Sequence, residues 1–155
     1  MDKAKQYPNA VITFVIAYDN KFLLVCRGKE KNFSNLRAFP GGKVEIGETA
    51  IETISREIKE ETNLDIKDEG FFLNSYKFGT SVGFCFLVRA KHDNVILGDG
   101  LLDYAWIEMM EDMSKFNCIP GIYNHLARAF EIINLGRVDS LKNMNLTPDV
   151  YINQN

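Results

Sequence analysis

One segment, residues 41–64, constrains this chain more than any other, because it joins a pair of glycines to a helix rich in carboxylates. Thr49, followed three residues later by Glu52, forms the Thr-x-x-Glu pattern of a capping box. This pattern predicts a helix that begins after Thr49 and runs to about Thr62. Apolar residues at i, i+3 and i+7 predict the stripe that faces the core, and they are Ile51, Ile54 and Ile58.

The same helix carries three glutamates on one side. Glu57, Glu60 and Glu61 lie at i, i+3 and i+4, within an arc of about 100°. Like charges at this spacing cost about 0.2–0.5 kcal/mol per pair, so the cluster needs a positive partner. Mg²⁺ is one candidate because it prefers carboxylate oxygens and leaves room for waters and phosphates, with Mn²⁺ as the alternative ion. A solvated face neutralised by Arg56 and Lys59 is the other interpretation.

The residues before the helix favour the metal. The run Phe39-Pro40-Gly41-Gly42-Lys43-Val44-Glu45 predicts a glycine turn, where the backbone can approach a ligand closely or adopt a positive φ. Loop and helix together fit Gly-x5-Glu-x7-Arg-Glu-U-x-Glu-Glu-x-Gly-U, where U is bulky and aliphatic. Eight of the nine specified positions match, namely Gly42, Glu48, Arg56, Glu57, Ile58, Glu60, Glu61 and Leu64. The segment resembles the signature of the Nudix hydrolase family.

The single departure from that signature is Asn63, which stands where the pattern has glycine. The position follows the last helical turn, where a left-handed residue is common. Asn adopts this conformation more readily than other non-glycine residues. We therefore expect the helix to end normally.

Composition sets the class of protein. The chain has 155 residues and a formal charge of −3, which predicts one domain and argues against general binding of nucleic acid or of a membrane surface. Three widely spaced cysteines form no Cys-x-x-Cys pair, so neither a disulfide framework nor a zinc site is indicated. Residues 1–9 lack an apolar signal-peptide core, and we expect a cytoplasmic protein, monomeric or homodimeric.

Strand-like runs flank the acidic helix on both sides. Residues rich in β-branched and aromatic side chains predict strands over 10–18, 21–27, 71–76, 81–90 and 104–109. A final helix opens near Pro120 and stops at Leu135-Gly136, with an apolar stripe made by Ile122, Leu126, Ala129, Phe130 and Ile133. This order predicts an α/β fold with a mixed sheet covered on both faces. The family resemblance implies the same α/β/α sandwich, and we expect a single Nudix domain over residues 1–136, followed by a loosely docked or disordered tail over 137–155.

The family resemblance also implies site roles. It makes Glu57 and Glu61 the direct metal ligands, with Glu60 sharing the task and the carbonyl of Gly41 completing the shell. Arg56 is also predicted to be catalytic. It either pairs with Glu48 to orient the helix or contacts a phosphate directly. The general base is one of the helix glutamates or a loop acid, for which Asp99 and Asp103 are the candidates; either is equally a turn former.

Several residues outside the acidic helix are candidates for substrate contacts. Arg27 and Arg37 border a polar loop that is either a solvated connector or a flap over a phosphate or sugar. Lys43 lies beside the glycines, where it is a phosphate ligand or a surface lysine. Asn117 precedes the final helix, where some relatives read the base with an amide. Five aromatic residues either stack on a nucleobase or pack in the core, and packing in the core is the commoner role of aromatic residues in strands. They are Phe39, Phe78, Phe84, Phe86 and Trp106.

The two histidines have no partner spacing for metal or nucleophilic chemistry. His92 and His125 are therefore expected at the surface.

The resulting expectation is a Mg²⁺-dependent hydrolase that splits a phosphoanhydride in a nucleoside diphosphate linked to another group. Nucleoside triphosphates, including deoxy forms, are the first substrate choice because the chain is short and has no added recognition domain. ADP-ribose or a nucleotide sugar is the alternative substrate. A non-catalytic nucleotide sensor is the alternative from another class.

Overall fold

The fold was obtained as a computed structural model, which describes residues 10–28, 35–67, 70–98, 100–109, 116–119 and 121–133. These residues form seven strands and two helices. The strands are β1 (Ala10–Tyr18), β2 (Lys21–Arg27), β3 (Arg37–Ala38), β4 (Gly41–Lys43), β5 (Phe71–Phe78), β6 (Ser81–Arg89) and β7 (Leu101–Glu108). The helices are α1 (Ala50–Thr62) and α2 (Ile122–Ile132).

A hairpin between β1 and β2 opens into a fork. Asp19 and Asn20 both have positive φ, which a two-residue hairpin turn of this kind requires. The two strands pair only next to this turn, and the last paired residues are Ala17 and Phe22. Farther from the turn β1 pairs with β4 and β2 with β3, so residues 37–43 fill the fork.

The sheet is mixed, as predicted. β1 runs parallel to β6 and antiparallel to β4, while β2 is antiparallel to β7 and β5 antiparallel to β6. One core cluster holds Ile54 and Ile58 of α1, and the other holds Leu126 and Phe130 of α2. Alternate residues of β1 enter different clusters, so the helices cover opposite faces of the sheet. The expected α/β/α sandwich is confirmed.

Several boundaries differ from the sequence expectation. The last strand begins at Leu101, three residues earlier than predicted, because β2 extends the antiparallel ladder in that direction. The described part of α2 ends at Ile132, and the predicted stop at Leu135-Gly136 and the tail over 137–155 lie outside the described residues. Neither described helix has the length and apolar character needed to cross a bilayer.

Candidate active site

Local sequence fixes both ends of α1. The Thr49 hydroxyl accepts the Glu52 N–H at 3.2 Å, and the Glu52 carboxylate accepts the Thr49 N–H at 2.9 Å, which confirms the capping box. At the other end Asn63 has φ +57, and its N–H donates to the carbonyls of Ile58 and Lys59. The Asn therefore takes the left-handed position as expected.

The rotation of α1 against the sheet separates the three glutamates. Its buried face is centred on Ile54 and Glu61, which are seven residues apart and so lie on the same side. Glu57 lies on this face with a side chain 13% exposed, whereas Glu60 points outward at 59%. Ile51, predicted to face the core, lies in the first turn of the helix and is 45% exposed, so that part of the prediction is wrong.

The sequence predicted a turn at the glycine pair, and this prediction is wrong. The two glycines lie in strand β4. Neither Gly41 nor Gly42 has a positive φ, because β1 supplies backbone partners for an extended chain. Glycine is needed here for close approach. A Cβ on Gly42 would collide with the carboxylate of Glu57, and one on Gly41 would collide with the carbonyl of Ile12.

The free edge of β4 faces the helix. The ladder bonds from Phe14 N–H to the Pro40 carbonyl and from Val44 N–H to the Ala10 carbonyl direct even-numbered residues toward β1. The polar groups of Gly41 therefore point away from β1. On that edge the Gly41 N–H donates to Glu61 Oε1 at 2.9 Å. The Gly41 carbonyl lies on the same edge as this bond.

Arg56 holds the loop and the helix together. Its Nε and Nη2 donate to the two oxygens of Glu48 at 2.7 and 2.9 Å, and Nη2 also donates to the Lys43 carbonyl at 3.0 Å. Its Nη1 donates to Glu57 Oε1 at 2.7 Å and reaches Glu60 Oε2 at 3.3 Å. The predicted pairing of Arg56 with Glu48 is what the geometry shows.

This pairing shifts both ionisations. The Arg56 guanidinium, with the backbone N–H of Glu45, lowers the pKa of Glu48 to about 2. The bond to Glu48 in turn raises the pKa of Arg56 above its ordinary value. Both groups therefore stay charged at neutral pH, and the contact persists.

The oxygen atoms beside β4 and α1 are of the type that a hard divalent ion binds. In the part of the chain that the structure describes, no three carboxylate, imidazole or thiol groups converge closely enough to form a complete cage. Mg²⁺ seldom uses such a cage; it commonly takes one or two carboxylates, several waters and substrate phosphates. Glu57 and Glu61, with the carbonyl edge of Gly41, supply oxygen donors of that kind at one place.

A second group of predicted residues gathers at β3. Arg37 Nη2 lies 3.4 Å from Asp103 Oδ2, and the Arg37 N–H donates to the Asn117 carbonyl at 2.7 Å. Arg27 lies on the neighbouring strand, where its N–H donates to the Leu36 carbonyl. Lys43, in β4, is exposed. Asp99 lies outside the described residues.

The remaining candidates are mostly in the core. Phe39 is buried, and Phe84, Phe86 and Trp106 are partly buried against the α1 cluster; the side chain of Phe78 lies outside the description. His92 lies near the surface, as expected, and its ring also contacts Asp65.

His125, expected at the surface, is only 5% exposed, because α2 turns it toward the sheet. Its Nδ1 lies 2.8 Å from Asn74 Oδ1, and burial lowers its pKa to about 4.

Sequence reasoning missed two members of the Arg56 network. Thr53 is fully buried and its hydroxyl donates to Glu48 Oε1 at 2.9 Å, while Glu45 lies 3.6 Å from Arg56. Thr53 follows Thr49 by four residues, a spacing that places it on the same side of the helix as the cap. That spacing was the available signal for Thr53; Glu45 had none beyond its charge.

Comparisons with known proteins agree with this geometry. The family model for the NUDIX domain matches residues 6–116. The 8-oxo-dGTP diphosphatase of Buchnera aphidicola subsp. Schizaphis graminum is 31% identical over 122 residues, covering 78% of this chain and 91% of the relative. The ADP-ribose pyrophosphatase of Methanocaldococcus jannaschii is 48% identical over 58 residues, which cover 37% of this chain and only 34% of that protein.

A solved structure shows the same fold. The NUDIX hydrolase from Nitrosomonas europaea superimposes with a TM-score of 0.70 at 21% identity, covering 84% of this chain and 74% of that one. The chain belongs to the Nudix hydrolase family.

Proposed function

We propose that this Nudix hydrolase uses Mg²⁺ to cleave a phosphoanhydride bond in nucleoside triphosphates, including deoxy forms, giving a monophosphate and pyrophosphate. The observation that carries the proposal is the placement of two largely buried carboxylates, Glu57 and Glu61, against the backbone of Gly41 and Gly42. Burying two carboxylates together is costly unless positive charge compensates them, and the Arg56 guanidinium that bonds Glu57 is shared with Glu48.

The roles of the residues follow from their positions. Glu57, Glu61 and the Gly41 carbonyl would hold the ion, and Glu60 is exposed at the rim of the site. Bound Mg²⁺ would supply charge neutralisation for the phosphates and lower the pKa of a water. Arg56 positions Glu57 by its 2.7 Å bond and fastens β4 to the helix through the Lys43 carbonyl.

Residues near β3 are the proposed substrate contacts. Arg37 Nη1 is buried and has no hydrogen-bond partner in the described part of the chain, so it retains a donor for a substrate oxygen. Asn117 is exposed beside it, and Arg27 and Lys43 remain the candidate phosphate ligands. Asp103 is a candidate to orient the attacking water, although its contact with Arg37 favours a positioning role; Asp99 is the other candidate acid.

The choice of substrate rests on the relatives. The match to the 8-oxo-dGTP diphosphatase spans nearly that whole protein, which favours a triphosphate, oxidised or not. The higher identity to the ADP-ribose pyrophosphatase is confined to about a third of it, and this supports ADP-ribose or a nucleotide sugar as the second candidate.

A substrate panel tests the proposal. Purified protein with Mg²⁺ or Mn²⁺ is offered dGTP, 8-oxo-dGTP, ADP-ribose and a nucleotide sugar, and the products are separated by chromatography. We expect monophosphate and pyrophosphate from a triphosphate, and none after chelation or in Glu61→Gln.

The other outcomes are equally informative. Turnover of ADP-ribose alone would favour the second candidate. Nucleotide binding without turnover, or full activity of Glu61→Gln, would contradict the enzymatic proposal.

A further inference from the structure

The last turn of α1 is covered by a short segment from elsewhere in the chain. Residues 95–98, here called the capping segment, lie between β6 and β7. Val95 and Leu97 pack into the core cluster of α1, while the Ile96 side chain is exposed. This alternating burial is typical of an extended chain, in which the N–H groups of Ile96 and Gly98 share one edge.

That edge donates to the end of the helix. The Ile96 N–H bonds to the Thr62 carbonyl and the Gly98 N–H to the Glu61 carbonyl, both at 2.9 Å. The last carbonyls of a helix have no partners within it, and Asn63 satisfies only those of Ile58 and Lys59. The capping segment thus supplies donors to the last two carbonyls of the helix that carries the acidic residues.

Only glycine fits at the closest point of this contact. A Cβ on residue 98 would collide with the carbonyl oxygen of Glu60 and would lie 3.2 Å from the Cα of Glu61. Gly98 is absent from the glycines with positive φ, so the requirement is space and not backbone conformation. Because the obstructing atom belongs to helical backbone, the helix end itself would have to move.

Movement there reaches the acidic site directly. Glu61 is in contact with Gly98 through its backbone and with Gly41 through its carboxylate, at 2.9 Å in each case. A displaced last turn would therefore misplace the Glu61 carboxylate relative to β4 while leaving Glu57, one turn earlier, less affected.

We propose that Gly98 is a positioning residue for the metal site: by letting the capping segment dock on the last turn of α1, it sets where Glu61 stands opposite Gly41. This inference rests on the proposed metal-binding role of Glu61. Changes to such supporting contacts typically weaken metal binding about 10- to 100-fold.

A calorimetric titration of the 155-residue chain with Mn²⁺ alone tests the positioning role of Gly98. We expect Gly98→Ala to bind Mn²⁺ about tenfold more weakly than wild type. Ile96→Ala, which changes an exposed side chain and keeps both backbone donors, should bind as wild type does. Leu126→Ala controls for lost stability, since it weakens the opposite face of the sheet without touching α1.

A wild-type measurement covers the case in which Gly98→Ala does not fold. Hydrogen exchange at the Ile96 and Gly98 amides should slow when Mn²⁺ or Mg²⁺ binds, because binding and docking must stabilise each other reciprocally.

Equal Mn²⁺ affinity of Gly98→Ala and wild type would overturn the role of Gly98 alone. An unchanged rate of hydrogen exchange at the two amides when the ion binds would do the same. Absence of binding by wild type would overturn the metal site and this inference with it.

Discussion

The two helices bury faces of the same kind against opposite sides of one sheet, yet they handle polar groups differently. On α1 the charged groups at the buried face are the carboxylates of Glu57 and Glu61, each with a positive or N–H partner. On α2 the buried polar groups are neutral, Asn124 and His125, and two aromatic rings lie against the histidine. Charge is thus kept where a partner lies at the edge of the core, and neutrality where burial is complete.

The pKa values express the same difference. Beside α1 the Arg56 guanidinium lowers the pKa of Glu48 to about 2, so the carboxylate remains charged. In α2 burial lowers the pKa of His125 to about 4, so the imidazole remains neutral at pH 7. We infer that α1 is built to present charge and α2 to support the fold.

The largest expected effect tests the separation of glutamates within α1. Glu57→Gln should lower kcat/KM by more than about 100-fold, beyond the usual loss for a residue that only supports a ligand. Glu60→Gln should lower it by less than about tenfold, because its side chain is mostly exposed. Steady-state kinetics with the best substrate of the panel measures both. Equal losses would contradict the unequal roles.

A matched pair of core truncations compares the helices directly. Ile54→Ala and Leu126→Ala each remove a fully buried aliphatic side chain and should each lower the free energy of unfolding by about 2–5 kcal/mol. Only Ile54→Ala should also weaken Mn²⁺ binding, since it loosens the helix that carries Glu57 and Glu61. Urea unfolding and calorimetry give the two numbers. A similar loss of binding in Leu126→Ala would refute the division of labour.

Acid should destabilise the fold through the buried neutral histidine of α2, His125. The unfolded chain takes up a proton near pH 6.5, whereas folded His125 does so only near pH 4, so the free energy of unfolding should decrease as the pH falls between these values. The contribution is about 3 kcal/mol at most. Urea unfolding of His125→Gln should lack this part of the slope, while His92→Gln should retain it. An unchanged slope in His125→Gln would show that other groups cause it.

The smallest effect concerns the helix starts. Thr49→Ala removes the side-chain cap of α1 and should cost about 1 kcal/mol, whereas Thr49→Ser keeps the hydroxyl and should cost less. The N-cap of α2 is Gly121, which makes no side-chain cap, so that helix offers no equivalent loss. Thermal unfolding of the two variants measures the difference. Identical stabilities would mean that the capping box contributes little.

Local features were predictable because their causes are local. The capping box and the left-handed Asn63 each depend on residues within one or two turns, and both were expected from the sequence. The bond between Arg56 and Glu48 was also expected, since the family pattern links these positions. The burial of His125 was not expected, because a single histidine in a helix gives no sign of which neighbours it meets in the fold.

Long-range pairing explains the other differences. The glycines became a strand because β1 lies alongside them, a partner about thirty residues earlier in the chain. Arg37 contacts Asp103, which is 66 residues later in the chain. Gly98 bonds to Glu61 although strands β5 and β6 separate them in the sequence. No periodicity within either segment encodes such contacts.

The sequence by itself determined that an acidic helix of known limits follows a glycine pair, and which family that arrangement belongs to. Helical periodicity sets the angles between Glu57, Glu60 and Glu61, but not the rotation of the whole helix against the sheet. Only the tertiary structure decided that rotation, because packing of Ile54 and Ile58 and the bond from Gly41 to Glu61 fix it together. The same packing turned Glu60 outward and brought the other two carboxylates against β4.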